Sequence, residues 1–108
     1  MRMWMVKPSI MCRQHLLGEH VELHMLKAHL IKGKRVDGFI RNSLIDTSQI
    51  QSRHNQLVTE MINRGYNHKS NLEFTHINPV GKVDIQGSLI ELISRCLICK
   101  RRFIEAYE

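Results

Sequence analysis

Between Ser9 and Lys32 the chain reads SIMCRQHLLGEHVELHMLKAHLIK, and Leu16, Leu17, His20, Leu23, His24 and Leu30 recur in it at helical spacing. Ser9 supplies an N-terminal cap, and Gly33 supplies a stop just past the last apolar residue. Gly18 inside the pattern costs about 1 kcal/mol against alanine, so a kink or a close approach is expected there. A second helix is expected over Thr47–Arg64, with Ile50, Leu57, Val58, Met61 and Ile62 as its apolar stripe. Gly65 ends it, and Arg64 lies in its last turn, where a cation suits the helix dipole. A third helix is expected over Ser88–Ala106. Leu89, Ile90, Leu92, Ile93, Cys96, Leu97 and Phe103 lie on its apolar side, and Ser88 and Glu91 have the spacing of a capping box. The segments 33–46 and 66–87 are rich in Gly, Asn, Asp and Pro and read as loops. No stretch alternates as a strand does. The expectation is an all-α, compact single domain over residues 1–108, of about three helices joined by long loops.

The length of 108 residues suits one domain, and 43% hydrophobic with 24% charged residues is a globular balance. No apolar run is long enough to span a membrane, and Lys7 and Pro8 break the N-terminus too early for a signal peptide. Three cysteines are an odd number, which favours a reducing, cytoplasmic setting over a disulfide framework. Sixteen Lys and Arg against 10 Asp and Glu leave a net charge of +6, which points to an anionic partner, above all nucleic acid. Basic residues cluster at Lys32, Lys34 and Arg35, at Arg53 and Arg64, and at Lys100, Arg101 and Arg102. Such patches bind phosphates without reading sequence.

On the first helix His15, Glu19 and Glu22 share one face, and grouped carboxylates with a histidine can do acid–base work. A solvated face with an ordinary ion pair is the alternative. His20 and His24 have metal-clamp spacing but no evident third ligand, and read as core or surface histidines. Cys96 and Cys99 form one CxxC, and further ligands such as Cys12, His68 or His76 lie far away in sequence. No metal or other cofactor is therefore expected. The bulky Arg2 after Met1 keeps the initiator methionine in place. An α-amine ordinarily titrates near pH 8, so a fraction is neutral and nucleophilic at pH 7.

The stretch Gln14-His15-Leu16-Leu17-Gly18-Glu19-His20-Val21-Glu22-Leu23 resembles the first-helix signature of the phage-type pyrimidine-dimer DNA glycosylases, also called endonuclease V. Gly33-Lys34-Arg35-Val36 resembles that family's Gly-Lys-Arg-Val. Glu60 and Arg64-Gly65-Tyr66 resemble the end of its second long helix. Short phage proteins of the same name also carry Arg53-His54 and Arg64-Gly65-Tyr66-Asn67-His68. The likeness runs in order over about the first 70 residues.

The resemblance implies an all-α DNA repair enzyme with glycosylase and abasic-site lyase activity. Its N-terminal α-amine, here that of Met1, attacks C1′ of a damaged nucleotide. An imine forms, the base leaves, and β-elimination nicks the strand. Glu22 matches the assisting glutamate, with Arg2, His15 and Glu19 as active-site neighbours. Val21 and Met25 stand where the family has arginines that contact DNA. Contact with duplex DNA, by a monomer or weak dimer, then falls to Lys27, Lys34, Arg35, Arg53 and Arg64. The family's aromatic, lysine-rich C-terminal segment is absent, so an abasic site, or another base lesion or modification, is a candidate substrate beside the pyrimidine dimer. A non-catalytic DNA- or protein-binding module on this scaffold, and a zinc-stabilised adaptor using Cys96 and Cys99, are the competing readings. The enzyme reading requires that the Met1 nitrogen and the Glu22 carboxylate lie at the same end of the molecule.

Overall fold

The computed structural model describes residues 1–107; Glu108, the last residue of the expected domain, lies outside them. Five α-helices and two single 3-10 turns make up the described chain, which contains no strand. The all-α expectation holds, with a different helix count. No described helix is long and apolar enough to cross a membrane.

Residues 1–7 form no regular element, and Met5 takes a left-handed backbone at φ +57°. Met3, Trp4 and Val6 are buried, and the Met3 N–H donates to the Leu44 carbonyl at 2.7 Å. A turn over Pro8–Ile10 leads into helix α1, Arg13–Ile31. The cap of α1 is Cys12 and not Ser9, because the chain first makes the proline-led turn, and the Cys12 sulfur then accepts from the His15 N–H. Gly33, at φ +70°, ends α1 as expected. The Lys34 and Gly33 N–H groups close back on His29 and Leu30 in a Schellman motif. At Gly18 no close approach occurs: α1 runs unbroken through it, and a Cβ there would meet only open space.

The expected loop 33–46 contains a short helix, α2, Asp37–Arg41. Helix α3 spans Ile50–Asn63 after a turn over Thr47–Gln49 capped by Asp46, and Gly65 at φ +80° closes it in a second Schellman motif. The long segment after it has no regular structure, and side chains satisfy its backbone. Gln51 donates to the Leu72 carbonyl and accepts from the Phe74 N–H, both at 2.8 Å. Thr47 likewise ties down Val80.

The expected helix over Ser88–Ala106 is two helices, α4, Ile85–Arg95, and α5, Leu97–Ala106. Asp84 caps α4 by accepting from the Gly87 N–H, so Ser88 caps nothing; its hydroxyl donates to the buried Trp4 carbonyl at 2.6 Å. Cys96 is extended, at φ −123° and ψ 108°, and breaks the helix without a proline or glycine. The core lies between α1 and α3 and is closed by the N-terminal segment, Leu92 of α4 and Cys99 of α5.

Candidate active site

The first residues of the chain, the middle of α1 and the face of α4 meet at a cleft of about 250 Å³, lined by Arg2, Trp4, His15, Gly18, Glu22 and Arg95 among others. The open space over Gly18 gives the cleft its floor. Arg2 stacks on Trp4, its guanidinium carbon 3.6 Å from the ring centroid, and donates to Glu91 at 2.7 Å. Arg95 pairs with the other oxygen of Glu91 at 3.0 Å. One carboxylate thus holds two guanidinium groups at the rim, where they suit a phosphate-bearing ligand.

Glu22 is half-buried beside Met1. Burial raises its carboxyl above the ordinary range. The Arg2 backbone N–H and the Met1 ammonium pull it back, the Glu19 carboxylate adds to the rise, and the balance is upward. The Met1 amine and the Glu22 carboxylate therefore lie at the same end of the molecule. A carboxyl that is easily protonated next to an amine can pass a proton to a reacting oxygen and take one back.

Glu19 also lines the cleft, whereas the basic residues singled out from sequence as DNA contacts lie elsewhere. The Glu19 carboxylate points into the core and forms a bidentate pair with Arg53, at 2.7 and 2.9 Å, with both side chains almost wholly buried. Arg53 is therefore no surface contact for DNA: the crossing of α1 over α3 gives it a partner inside. Arg64 is also committed. It pairs with Glu60 at 2.8 Å and donates to the Pro8 and Met11 carbonyls. Arg102 donates to the Ser9 carbonyl. Lys34 and Arg35 are exposed, Arg35 beside Asp37, and Lys27 is half-exposed on α1. Val21 and Met25 are exposed too.

His15 lines the cleft, yet its Nδ1 turns away from Glu22 toward Cys12 Sγ, 3.1 Å away, and Cys99 Sγ, 3.8 Å away. Burial, and then the Arg95 guanidinium, hold its pKa below the ordinary value. The expectation that no full ligand set exists is corrected by the fold: the donor atoms of Cys12, His15, Cys96 and Cys99 all lie within 4.8 Å of one another. Burial pushes the Cys99 thiol up to about 12. At Cys96 burial acts in the same direction, but the Cys99 backbone N–H and the neighbouring thiols outweigh it and leave its pKa lowered. A second set, His20, His54 and His68, also converges, with the His20 Nε2 3.1 Å from each of the other two. The signal for the first set was present in the sequence, since Cys12-x-x-His15 has the same spacing as Cys96-x-x-Cys99. The partners of His20 come from α3 and the following loop, and no spacing announces them. Trp4, which anchors Arg2, also went unnoticed.

A larger hollow of about 670 Å³ lies beside Cys12 and Tyr66 and does not include Glu22. The family model described as pyrimidine dimer DNA glycosylase matches residues 1–74. That span carries the N-terminal segment, α1 and α3, and so both Met1 and Glu22. No curated protein and no solved structure matches the chain. With more than half its length covered and the matched span forming the wall of the cleft, the chain belongs to the pyrimidine dimer DNA glycosylase family of DNA repair enzymes.

Proposed function

We propose that the protein is a DNA glycosylase with abasic-site lyase activity, in which the Met1 α-amine is the nucleophile and Glu22 moves the protons. The neutral amine attacks C1′ of the target nucleotide. The bond from C1′ to the base breaks, and the base leaves with the electron pair and takes up a proton. Glu22, whose carboxyl burial raises, gives a proton to O4′ as the sugar ring opens, and the amine sheds one to leave an imine. The Glu22 carboxylate then accepts a proton from C2′, and the C3′–O bond breaks with loss of the 3′ phosphate. Water hydrolyses the imine and frees the amine. An abasic site enters the same sequence without the first bond cleavage.

The observation that supports this reading above the others is the shared placement of the Met1 ammonium and the raised Glu22 carboxyl. Arg2 and Arg95 at the rim suit the phosphates flanking the target sugar, and the exposed Lys27, Lys34 and Arg35 suit the backbone of a duplex further out. The pyrimidine dimer and the abasic site are the substrates we propose, acted on by a monomer or weak dimer. Reaching C1′ requires the target nucleotide, or its opposite base, to leave the stack.

Borohydride trapping on a duplex with one abasic site tests the chemistry, because hydride reduces the imine to a permanent amine link. Wild type should give a covalent adduct, an N-terminally extended variant none, and Glu22→Gln a far slower nick. A wild-type protein that binds the duplex and yields no adduct overturns the proposal and leaves a non-catalytic binding module.

A further inference from the structure

We propose that Cys12, His15, Cys96 and Cys99 form a structural zinc site that clamps the start of α1 to the start of α5. All three cysteines of the chain converge there, although two lie at positions 96 and 99 and the third at position 12. None is in a disulfide.

The geometry fits one tetrahedral ion. Zn–S bonds of about 2.3 Å and Zn–N bonds of about 2.0 Å put neighbouring ligand atoms about 3.5–3.8 Å apart. Cys12 Sγ and Cys96 Sγ are 3.9 Å apart, Cys99 Sγ and His15 Nδ1 3.8 Å, and Cys12 Sγ and His15 Nδ1 3.1 Å. Contraction or expansion of a few tenths of an ångström brings these edges to the ideal values. The compact spread leaves room for a single ion and not for an iron–sulfur cluster, whose ligands surround several atoms.

The backbone around the site is arranged for thiolates. Cys12 and Cys96 are both N-caps, and His15 and Cys99 both stand three residues into the helix that follows. The Cys12 N–H donates to Cys99 Sγ at 3.1 Å, the His15 N–H to Cys12 Sγ at 3.4 Å, and the Cys99 N–H to Cys96 Sγ at 3.5 Å. Each sulfur thus receives a main-chain donor, the outer-shell support that metal-bound thiolates need. The break between α4 and α5 has the same explanation. No proline or glycine stands at Cys96, so local preference alone would continue the helix. The extended residue starts a new helix whose first turn delivers two sulfurs to one point.

Binding converts three thiols to thiolates and releases their protons, while the neutral His15 ring donates the Nδ1 lone pair. No redox step is involved. The clamp reaches beyond the span that matches the family model, since Cys96 and Cys99 lie outside residues 1–74. It fixes the rear of the cleft through His15, whose ring packs edge-on to Trp4.

The test uses the full chain, purified under reducing conditions and exchanged into Co(II). The expected result is an intense thiolate-to-cobalt charge-transfer band with the visible bands of a tetrahedral ion, lost on adding zinc, together with zinc in the protein as isolated. Cys96→Ser, at the most exposed of the three cysteines, should weaken metal binding at least tenfold and shrink the charge-transfer band. If that variant does not fold, the wild-type spectrum and the rate at which its thiols react with a disulfide reagent, before and after chelation, decide the question. A folded wild-type protein with three freely reactive thiols, no zinc and no charge-transfer band overturns the proposal. An intrachain disulfide in the reduced preparation overturns it as well.

Discussion

Arg53→Met isolates the charge pair inside the molecule. The guanidinium is held by Glu19 through two bonds, at 2.7 and 2.9 Å, by Gln56 Oε1 at 3.2 Å and by Met11 Sδ at 3.5 Å, and 1% of its side chain is exposed. Methionine fills much of the volume and removes the charge, leaving the Glu19 carboxylate buried without its partner. Such a break costs about 3–5 kcal/mol, against a total stability of about 5–15 kcal/mol for a domain of this size. At about 4 °C or more per kcal/mol, Tm should fall by about 12 °C or more. Replacing both partners, as in Glu19→Leu/Arg53→Met, removes the stranded charge and should recover most of that loss. Urea titration at low temperature reads the midpoints, with m unchanged between variants. A single variant within about 1 kcal/mol of wild type, or a double variant that loses the sum of both singles, refutes the reasoning. DNA binding supplies a second check: the salt dependence of Arg53→Met should equal that of wild type, whereas a lost phosphate contact would flatten the slope by about 0.9.

Four further outcomes follow from the same structure. Glu22→Gln should lose lyase activity yet gain stability relative to wild type as pH rises. The burial-raised carboxyl costs nothing below its unfolded pKa and destabilises as pH climbs through its folded one, so a gap in Tm that fails to widen between pH 4 and 8 counts against this. His20 is lowered to about 4 by burial and by His54, His24 and His68 around it. The unfolded chain therefore takes up a proton first, and stability present above pH 6.5 should fall by about 2 kcal/mol toward pH 4, less so in His20→Gln, as urea midpoints would show. Ser88→Ala leaves the buried Trp4 carbonyl without its donor and should cost about 1–3 kcal/mol in chemical denaturation. Lys34→Ala/Arg35→Ala should leave fold stability unchanged and flatten the salt dependence of duplex binding by about 2, and an unchanged slope would remove both residues from the DNA interface.

The helical stretches around Leu16–Leu30 and Ile50–Met61 were legible because apolar residues recur there at one period and glycine closes each. Gly33 and Gly65 do stand at positive φ. What resisted reading was polarity inside the core. Glu19, His20, Arg53 and His54 are buried, while Val21, Met25 and Ile31 face outward, so α1 lacks the clean apolar stripe that marks an inward face. Partners such as Glu19 and Arg53 lie on separate helices, and only the crossing of α1 and α3 pairs them. The α4–α5 break was invisible for a similar reason. Leu89–Phe103 has helical composition throughout, and the interruption at Cys96 answers to a tertiary cluster rather than to any local breaker. The Met1–Glu22 arrangement was suggested by resemblance, but Trp4, which fixes Arg2 over the cleft, carried no mark of its role.

The cleft is sewn together by contacts between distant parts of the chain. Arg2 meets Glu91 across 89 positions, the Trp4 carbonyl meets Ser88 across 84, and the Cys12 amide meets Cys99 across 87. Closing a loop of that length costs about 4 kcal/mol of chain entropy before any contact repays it. Helices α1 and α3 can form from neighbours alone, so in refolding they should arrive first, with the N-terminal segment and α4 docking afterwards. Met1 and Glu22, the proposed nucleophile and proton carrier, therefore come into register only in the last phase of folding. A chain that has regained its helices but not this seam is well ordered by circular dichroism and chemically silent toward DNA.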